Sequence, residues 1–334
     1  MSFTIIDKLW YRDHPVRWLL LPFAMAYRFI TMLRRIYLQQ FCQQVFPVPI
    51  IVVGNLTVGG VGKTPLVIAL AKAFQSRGLR VGIVSRGYGA RVDHYPHEVT
   101  PDATAAVVGD EPLLLAKKTQ CPVVIAPKRA EAVQYLLKKY QSQIIISDDG
   151  LQHYAMGRAI EIAVIDGLRG VGNGQCIPAG PLREGVYRLK QVDFVVVNGI
   201  LSSTSTVMKQ SLKTGYQMDL MPGDITRLVS GKAINVSELS GPVAAVAAIG
   251  NPMRFFATLK GMGVVFKEYP FSDHHKFKPA ELSFTEKTIV MTEKDAVKCS
   301  VFATESMYFL PVEAKMDDKF WEALWSHKQL QGYI

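Results

Sequence analysis

Apolar and polar positions divide the chain into three textures. Over residues 47–200, short unbroken apolar runs alternate with segments whose apolar positions recur every three or four residues. Ile50 to Val53, Arg80 to Val84, Val123 to Ala126, Ile144 to Ile146, Ile162 to Ile165 and Phe194 to Val197 are such runs, and they read as strands buried on both faces. Between them, Pro65 to Ala71, Leu113 to Lys118 and Arg129 to Tyr140 read as helices, the first with proline at its first position. This alternation predicts an α/β core domain with a parallel sheet. From about residue 200 the texture loosens. Ser202 to Thr206 reads as a loop, and residues 201–236 as a β-rich linker. A strand at Val243 to Ile249, a helix to Lys260, a stretch from Lys267 to Phe271 that leads into Ser272 to His275, a strand at Thr288 to Met291, and an amphipathic helix from Asp317 to His327 predict a smaller α/β lobe over 237–334.

Residues 1–46 differ from both. Trp18 to Tyr27 is continuously apolar but only ten residues long, and Arg28 ends it. A membrane-spanning helix needs about 20 apolar residues, so a span is not expected. No small-residue cleavage site follows, which argues against a secretory signal. Basic residues at 8, 12, 17, 28, 34 and 35 flank this short apolar core, a pattern that suits a membrane-associating helix lying among headgroups. The alternative is a helix packed on the protein's own surface.

The 49% hydrophobic and 20% charged composition excludes a disordered chain, and the net charge of +10 points to an anionic partner. No nucleic-acid module signature is present, so nucleic acid is not expected. A phosphorylated metabolite or an anionic membrane surface remains. Cys42, Cys121, Cys176 and Cys299 lie far apart and read as reduced thiols, and His94 and His97 as part of a surface loop.

The first strand runs into Thr57-Val58-Gly59-Gly60-Val61-Gly62-Lys63-Thr64, and a helix follows. Strand, glycine loop, Lys-Thr and helix is the arrangement of a phosphate-binding loop. Its amides would cradle the phosphates of ATP, Lys63 would reach the β- and γ-phosphates, and the Thr64 hydroxyl would hold Mg²⁺. Thr57 occupies the place of the motif's first glycine. Val58 stands where partition-type ATPases, which are similar over Gly59 to Thr64, carry a second lysine that serves the partner subunit, so no obligate protein partner is inferred. The strand ending in Asp148-Asp149 is a Walker B arrangement for Mg²⁺. Ile162 to Asp166 repeats the strand-then-acid pattern, and a long Gly/Pro-rich loop follows to Gly185. Asp110 and Glu111 open a helix, where simple capping competes with a chemical role.

With these stretches assembled, the chain resembles the tetraacyldisaccharide 4′-kinases, the lipid A kinases of Gram-negative bacteria. The matching segments are Val53 to Thr57 with Gly59 to Pro65, Ser85 to Gly89, Gly109 to Pro112, Asp148 to His153, Pro178 to Glu184, Asp273-His274 and Thr292 to Lys298. The resemblance implies two α/β lobes joined by a small β linker, with the site between them. It also implies transfer of the ATP γ-phosphate to the 4′-hydroxyl of a lipid-linked, tetraacylated glucosamine disaccharide 1-phosphate. It makes Asp110 the general base and His274 its partner, with His275 the adjacent alternative. It assigns Mg²⁺ to Asp148 and Asp149, and places Arg183 and Glu184 near the phosphates. The implied location is the cytoplasm, peripheral to the inner-membrane surface. Two other readings are a P-loop GTPase or metallochaperone-type switch, for which Thr292-Glu293-Lys294-Asp295 is the nearest guanine-reading run, and a non-enzymatic membrane adaptor.

Overall fold

The computed structural model describes residues 5–12, 14–201, 215–239 and 241–333; the loop expected at Ser202 to Thr206 lies outside them. The chain opens with helices α1 (Ile5–Tyr11) and α2 (Val16–Phe41). The core follows as β1 (Ile50–Gly54), α3 (Lys63–Gln75), β2 (Val81–Ser85), β3 (His97–Val99), α4 (Ala105–Val108), α5 (Asp110–Thr119), β4 (Val123–Ile125), α6 (Arg129–Tyr140), β5 (Ile144–Asp148), β6 (Ile160–Asp166) and β7 (Phe194–Asn198). Every residue of β1, β2, β5 and β7 is buried, because helices cover both faces of the sheet; the strands therefore lack polar alternation. The first helix begins at Lys63 rather than Pro65. Proline in the first turn is tolerated because those amides have no partner within the helix.

The second part comprises β8 (Tyr216–Pro222), β9 (Ile225–Arg227), β10 (Ala233–Ile234), β11 (Val243–Ala247), α7 (Pro252–Gly261), β12 (Phe266–Pro270), β13 (Thr288–Thr292), α8 (Glu293–Cys299), β14 (Met307–Leu310), β15 (Val312–Met316) and α9 (Asp318–Trp325). One sheet has the order β15-β8-β7-β6-β1-β5-β2-β4-β3 and the other β10-β9-β14-β13-β11-β12. β1 pairs in parallel with β5 on one side (Val53 opposite Asp148) and with β6 on the other (Val53 opposite Ile162). The chain leaves β1 toward β2 and later crosses back to β6, so the strand order reverses at β1. Ligands of open α/β sheets bind at the crevice such a reversal leaves.

The lobes are not divided as the sequence suggests. The linker is not a separate β unit: β8 joins the first sheet, while β9 and β10 join the second. Nor does all of 237–334 belong to the smaller lobe. β15 pairs antiparallel with β8, and Phe320 and Leu324 of α9 are fully buried in the first lobe's core. Trp325 meets the buried Phe74 ring edge-on at 5.0 Å. Burying one such side chain contributes about 1.5–3 kcal/mol, which outweighs proximity along the chain. The backbone thus crosses between lobes twice, at Gly223 and at Pro311, and the Gly223 amide donates to the Pro311 carbonyl at 3.0 Å.

α2 is longer than its apolar run. It continues through Arg28, Arg34 and Arg35 for 26 residues and is long and apolar enough to cross a membrane by length and composition. The arginines turn toward the protein. Arg28 lies over the Tyr187 ring, Arg34 donates to the Gln152 carbonyl at 3.4 Å, and Arg35 donates to Gln191 at 2.7 Å and stacks on Tyr154. Trp18, Leu19, Phe23, Met25, Phe29, Ile30 and Leu33 are left exposed. Linear reading saw the arginines as the end of the apolar segment, whereas the helix places them on a different face.

The N-terminal helices also reach the nucleotide loop. The Trp10 indole donates to the Pro178 carbonyl, and the Asn173 amide and side chain donate to the Trp10 and Leu9 carbonyls. Residues 181–183 then grip the loop: Val58 N–H donates to Pro181 O at 2.8 Å and Arg183 N–H to Leu56 O at 2.7 Å.

Candidate active site

The glycine loop emerges from β1 at the reversal point and enters α3. Gly59 and Gly62 have φ of +103° and +93°, a backbone region that favours glycine. At Gly62 a Cβ would also lie 2.4 Å from the Asn198 amide nitrogen, which donates to Val61 O. Buried Asn55 ties the loop from below, its amide nitrogen donating to Thr57 O at 2.7 Å and Gly59 O at 3.1 Å. Asn55 Oδ1 accepts from Lys63 Nζ at 3.0 Å. Thr57 is buried and bridged to Leu182. The Val58 amide is already satisfied by Pro181, so Val58 supports the loop and its N–H is not aimed at a ligand, contrary to the sequence expectation. The amides that remain for a phosphate belong to the glycine stretch and the first turn of α3.

Lys63 and Arg183 converge on Asp149. Lys63 Nζ is 3.4 Å from Asp149 Oδ1, and Arg183 is 3.2 Å from both carboxylate oxygens. Burial would raise the Asp149 pKa, but these two cations overcome it and lower it. Asp148 behaves oppositely. It is fully buried, and burial together with the charges of Glu111 and Asp149 raises its pKa against Lys63 and Arg129. Its Oδ1 has no hydrogen-bond partner. Glu184 turns inward to Gln152, Tyr154 and Arg188 rather than toward the glycine loop, because neighbouring residues of an extended segment face opposite ways.

Asp110 opens α5 and is 6% exposed. Its Oδ2 lies 3.0 Å from Nδ1 of His274, which the loop after β12 carries across from the second lobe. His275, the alternative, pairs with Glu281 at 3.1 Å. Burial raises the Asp110 pKa, but the His274 hydrogen bond and the charges of Lys294, His274 and Lys298 leave it at about 2. The same hydrogen bond raises His274, against burial and Lys294.

Two clefts lie at the lobe junction. The first, of 370 Å³, is lined by the glycine loop, Asp166, Asn198, Asn251, Arg254, Glu111 and Lys294. The second, of 640 Å³, is lined by Tyr88, Asp110, Asp273, His274, Lys276 and Lys298. Asp110, Glu111, Asp273, His274 and Lys294 therefore form the wall between them. The lobes also touch at the loop itself: Arg169 donates to Gly250 O at 2.8 Å, and a Cβ on Gly250 would lie 2.4 Å from Gly60 N.

Sequence reasoning gave no role to Asn55 or Asn198, and read Lys294 as part of a poor guanine motif and of the family-matching segment Thr292 to Lys298, with no role of its own. The signal for Asn55 was its place directly after an apolar strand. The Thr292–Asp295 run is instead a helix cap: Asp295 Oδ2 accepts from Thr292 Oγ1 at 2.7 Å and from Ala248 N–H at 2.8 Å. Among the described residues no group of three or more His, Cys, Asp or Glu is arranged to hold a metal ion.

A doubly flanked β1, a glycine loop closed by Lys63-Thr64 and an acidic strand end at Asp148 define a P-loop nucleotide-binding protein. The family model for tetraacyldisaccharide-1-P 4′-kinase matches residues 16–329. The chain belongs to that family. It is 56% identical over 333 residues to the tetraacyldisaccharide 4′-kinase of Legionella pneumophila (strain Lens), covering 100% of both chains. It is 45% identical over 317 residues to that of Aeromonas hydrophila subsp. hydrophila, covering 93% of this chain and 92% of the relative. Among solved structures it is similar to LpxK from Aquifex aeolicus in complex with ATP, with a TM-score of 0.73, 26% identity, and coverage of 93% and 98%.

Proposed function

We propose that the chain transfers the γ-phosphate of ATP to the 4′-hydroxyl of a tetraacylated glucosamine disaccharide 1-phosphate, the reaction its relatives' names describe. The observation that carries this is the Asp110–His274 pair, set in the wall between a cleft lined by a phosphate-binding loop and a second cleft. A nucleotide switch needs no acceptor cleft and no base.

ATP takes the first cleft, with its phosphates on the amides of Gly59 to Thr64. Lys63 and Arg183 supply the positive charge that phosphoryl transfer needs. The acceptor hydroxyl enters from the second cleft, and Asp110 accepts its hydrogen bond while His274 holds the carboxylate in place. The hydroxyl oxygen forms a bond to the γ-phosphorus, the bond from that phosphorus to the β–γ bridging oxygen breaks, and ADP leaves. Asp110 takes the hydroxyl proton.

The residues present fit Mg²⁺. The unpartnered Oδ1 of buried Asp148, with the Asp149 carboxylate and the Thr64 hydroxyl, is an all-oxygen donor set suited to a hard cation. Mg²⁺ is usually held by one or two carboxylates, which Asp148 and Asp149 can supply, plus substrate phosphates. When bound, the ion would neutralise charge on the β- and γ-phosphates. ATP consumption that appears only when the acylated disaccharide 1-phosphate is added, with a new phosphomonoester at the 4′ position by ³¹P NMR, is the expected result. Equal turnover without acceptor would overturn the reading.

The chain sits on the cytoplasmic face of the inner membrane, with the outer face of α2 among lipids. The arginines that fasten its inner face to the protein oppose threading it through a bilayer alone. Changing Leu19, Phe23 and Ile30, which are 74%, 65% and 63% exposed, to serine should weaken binding to anionic liposomes and leave ATP affinity unchanged. The expected loss is about 100-fold or more, because each side chain forfeits roughly 1.5 kcal/mol of apolar transfer. Unaltered liposome partitioning would mean that face meets something other than lipid.

A further inference from the structure

Three carboxylates crowd one lysine beside the His274 imidazole where α5 meets α8. Asp110 and Glu111 come from the first turn of α5, and Asp273 precedes His274 in the loop after β12. Lys294, in the first turn of α8, stands among them. Its Nζ is 2.8 Å from Glu111, 3.6 Å from Asp273, 3.9 Å from Asp110 and 3.4 Å from Nε2 of His274. Burial disfavours its charge, but Glu111, Asp110 and Asp273 outweigh that and raise its pKa. The remaining groups facing the pair are Lys298, which lies 2.6 Å from Asp295, and the Tyr88 ring, 4.9 Å from the imidazole.

The ring's nearest contact on each side favours one protonation state. An ammonium group can only donate, and an ionised carboxylate can only accept. Nδ1 faces the carboxylate of Asp110, and Nε2 faces Lys294 at 3.4 Å, closer than the Asp273 carboxylate at 3.9 Å. A neutral ring with its proton on Nδ1 satisfies both contacts at once. An imidazolium would instead set a positive ring against an ammonium at 3.4 Å. Without Lys294, the histidine would keep the carboxylates of Asp110 and Asp273 but lose the nearest cation, and the pair would take up a proton more readily.

We propose that Lys294 is a positioning residue for the Asp110–His274 pair, favouring the imidazole proton on Nδ1 and opposing the uptake of a further proton that the neighbouring carboxylates promote. This rests on the reading of Asp110 and His274 given above. Lys294 also spans the lobes through Glu111, and α8 is held to α5 a second time by Lys118 and Glu293 at 2.9 Å. The lobe contact therefore does not depend on Lys294 alone.

The test compares Lys294→Met, Lys294→Gln and Lys294→Arg in the full chain, by ¹⁵N NMR titration of His274 and by the pH profile of kcat. In the Met variant the His274 midpoint should rise by about one unit or more, the size expected when a charge within 4–6 Å is removed. The acid limb of kcat should move up with it. A loss of about tenfold is expected at the pH of the wild-type limb, recovering as pH rises, with the KM for ATP unchanged. Lys294→Gln removes the charge but keeps a donor for Glu111, so it gives the same reading if the Met variant does not fold. Lys294→Arg should retain the wild-type limb. An unmoved His274 midpoint in both uncharged variants, or a loss of kcat equal at every pH, would overturn the proposal. The His274 titration does not depend on turnover. If Asp110→Ala leaves kcat intact, it is the pair's catalytic role that fails, and the titration still reads the effect of Lys294.

Discussion

Replacing Asp110 or His274 with alanine should each lower kcat by about 10²–10⁴-fold, and replacing both should lower it little further. The two are hydrogen-bonded across the lobe junction, and on the proposed reading they act as one unit. His274 has a positive φ of 58° and is 29% exposed at its side chain, so its loop presents it at the cleft edge. Asp110 is held ionised at a pKa of about 2, with burial overcome by the His274 hydrogen bond and nearby lysines. A carboxylate of that value is a weak base, yet this suits the reaction. In a loose phosphoryl-transfer transition state little charge develops on the attacking oxygen, so orienting the hydroxyl matters more than basicity.

The sign of the pH dependence follows. Asp110 stays ionised throughout the neutral range, so the pair contributes an acid limb there through His274, whose pKa lies above its ordinary value; Asp148, which burial raises to about 7, is the other carboxyl that titrates there. Activity should fall as pH drops through that limb. The measurement is a double-mutant cycle on kcat at saturating ATP. Losses that simply multiply would mean that the two residues act independently.

Lys63→Met should reduce turnover by about 10²–10³-fold, the scale for removing one preorganised donor from a site of developing charge. The side chain is 11% exposed and already aimed at the loop by Asn55. Its loss acts twice. The phosphates lose a cation, and Asp148 loses one of the two charges that oppose its rise, so its affinity for a divalent cation should also fall. Lys63→Arg should not restore activity, because a planar guanidinium does not replace a compact ammonium on a flexible stem. Single-turnover rates and equilibrium ATP binding, measured across a Mg²⁺ series, separate the two effects. Wild-type-like turnover at saturating ATP and Mg²⁺ would refute the role. Circular dichroism should be unchanged, since the loop is held by backbone contacts at Val58 and Leu56.

Much of the core was legible because its strands are buried on both faces. Ile50 to Val53 and Ile144 to Ile146 could be located as continuous apolar runs, and the Lys63-Thr64 loop and Asp148-Asp149 were found at strand ends. What failed depended on long-range pairing. Nothing local in Val312 to Met316 says that it will leave the second lobe and pair with β8; that follows from burying Phe320 and Leu324 on the first sheet. The length of α2 was missed because a linear run cannot express a face. His274 was legible only through family resemblance, since two histidines in a polar loop carry no periodic signal. Lys294 is three residues past an apolar run, and its meaning appears only when α5 is brought against α8.

The clamp of α1 on residues 173–178 bears on how such an enzyme can be divided. Trp10 and Leu9 hold the loop whose next residues hold Val58 and Leu56, so the start of the chain is joined to the nucleotide loop through backbone hydrogen bonds. The N-terminal helical segment is therefore not a detachable module. A shortened protein made for solubility would lose part of the scaffold of its own catalytic centre, and its weakened catalysis would be mistaken for a need for lipid. The same continuity leaves a ligand wedged between Trp10 and Pro178 a path to the nucleotide loop from outside the nucleotide cleft.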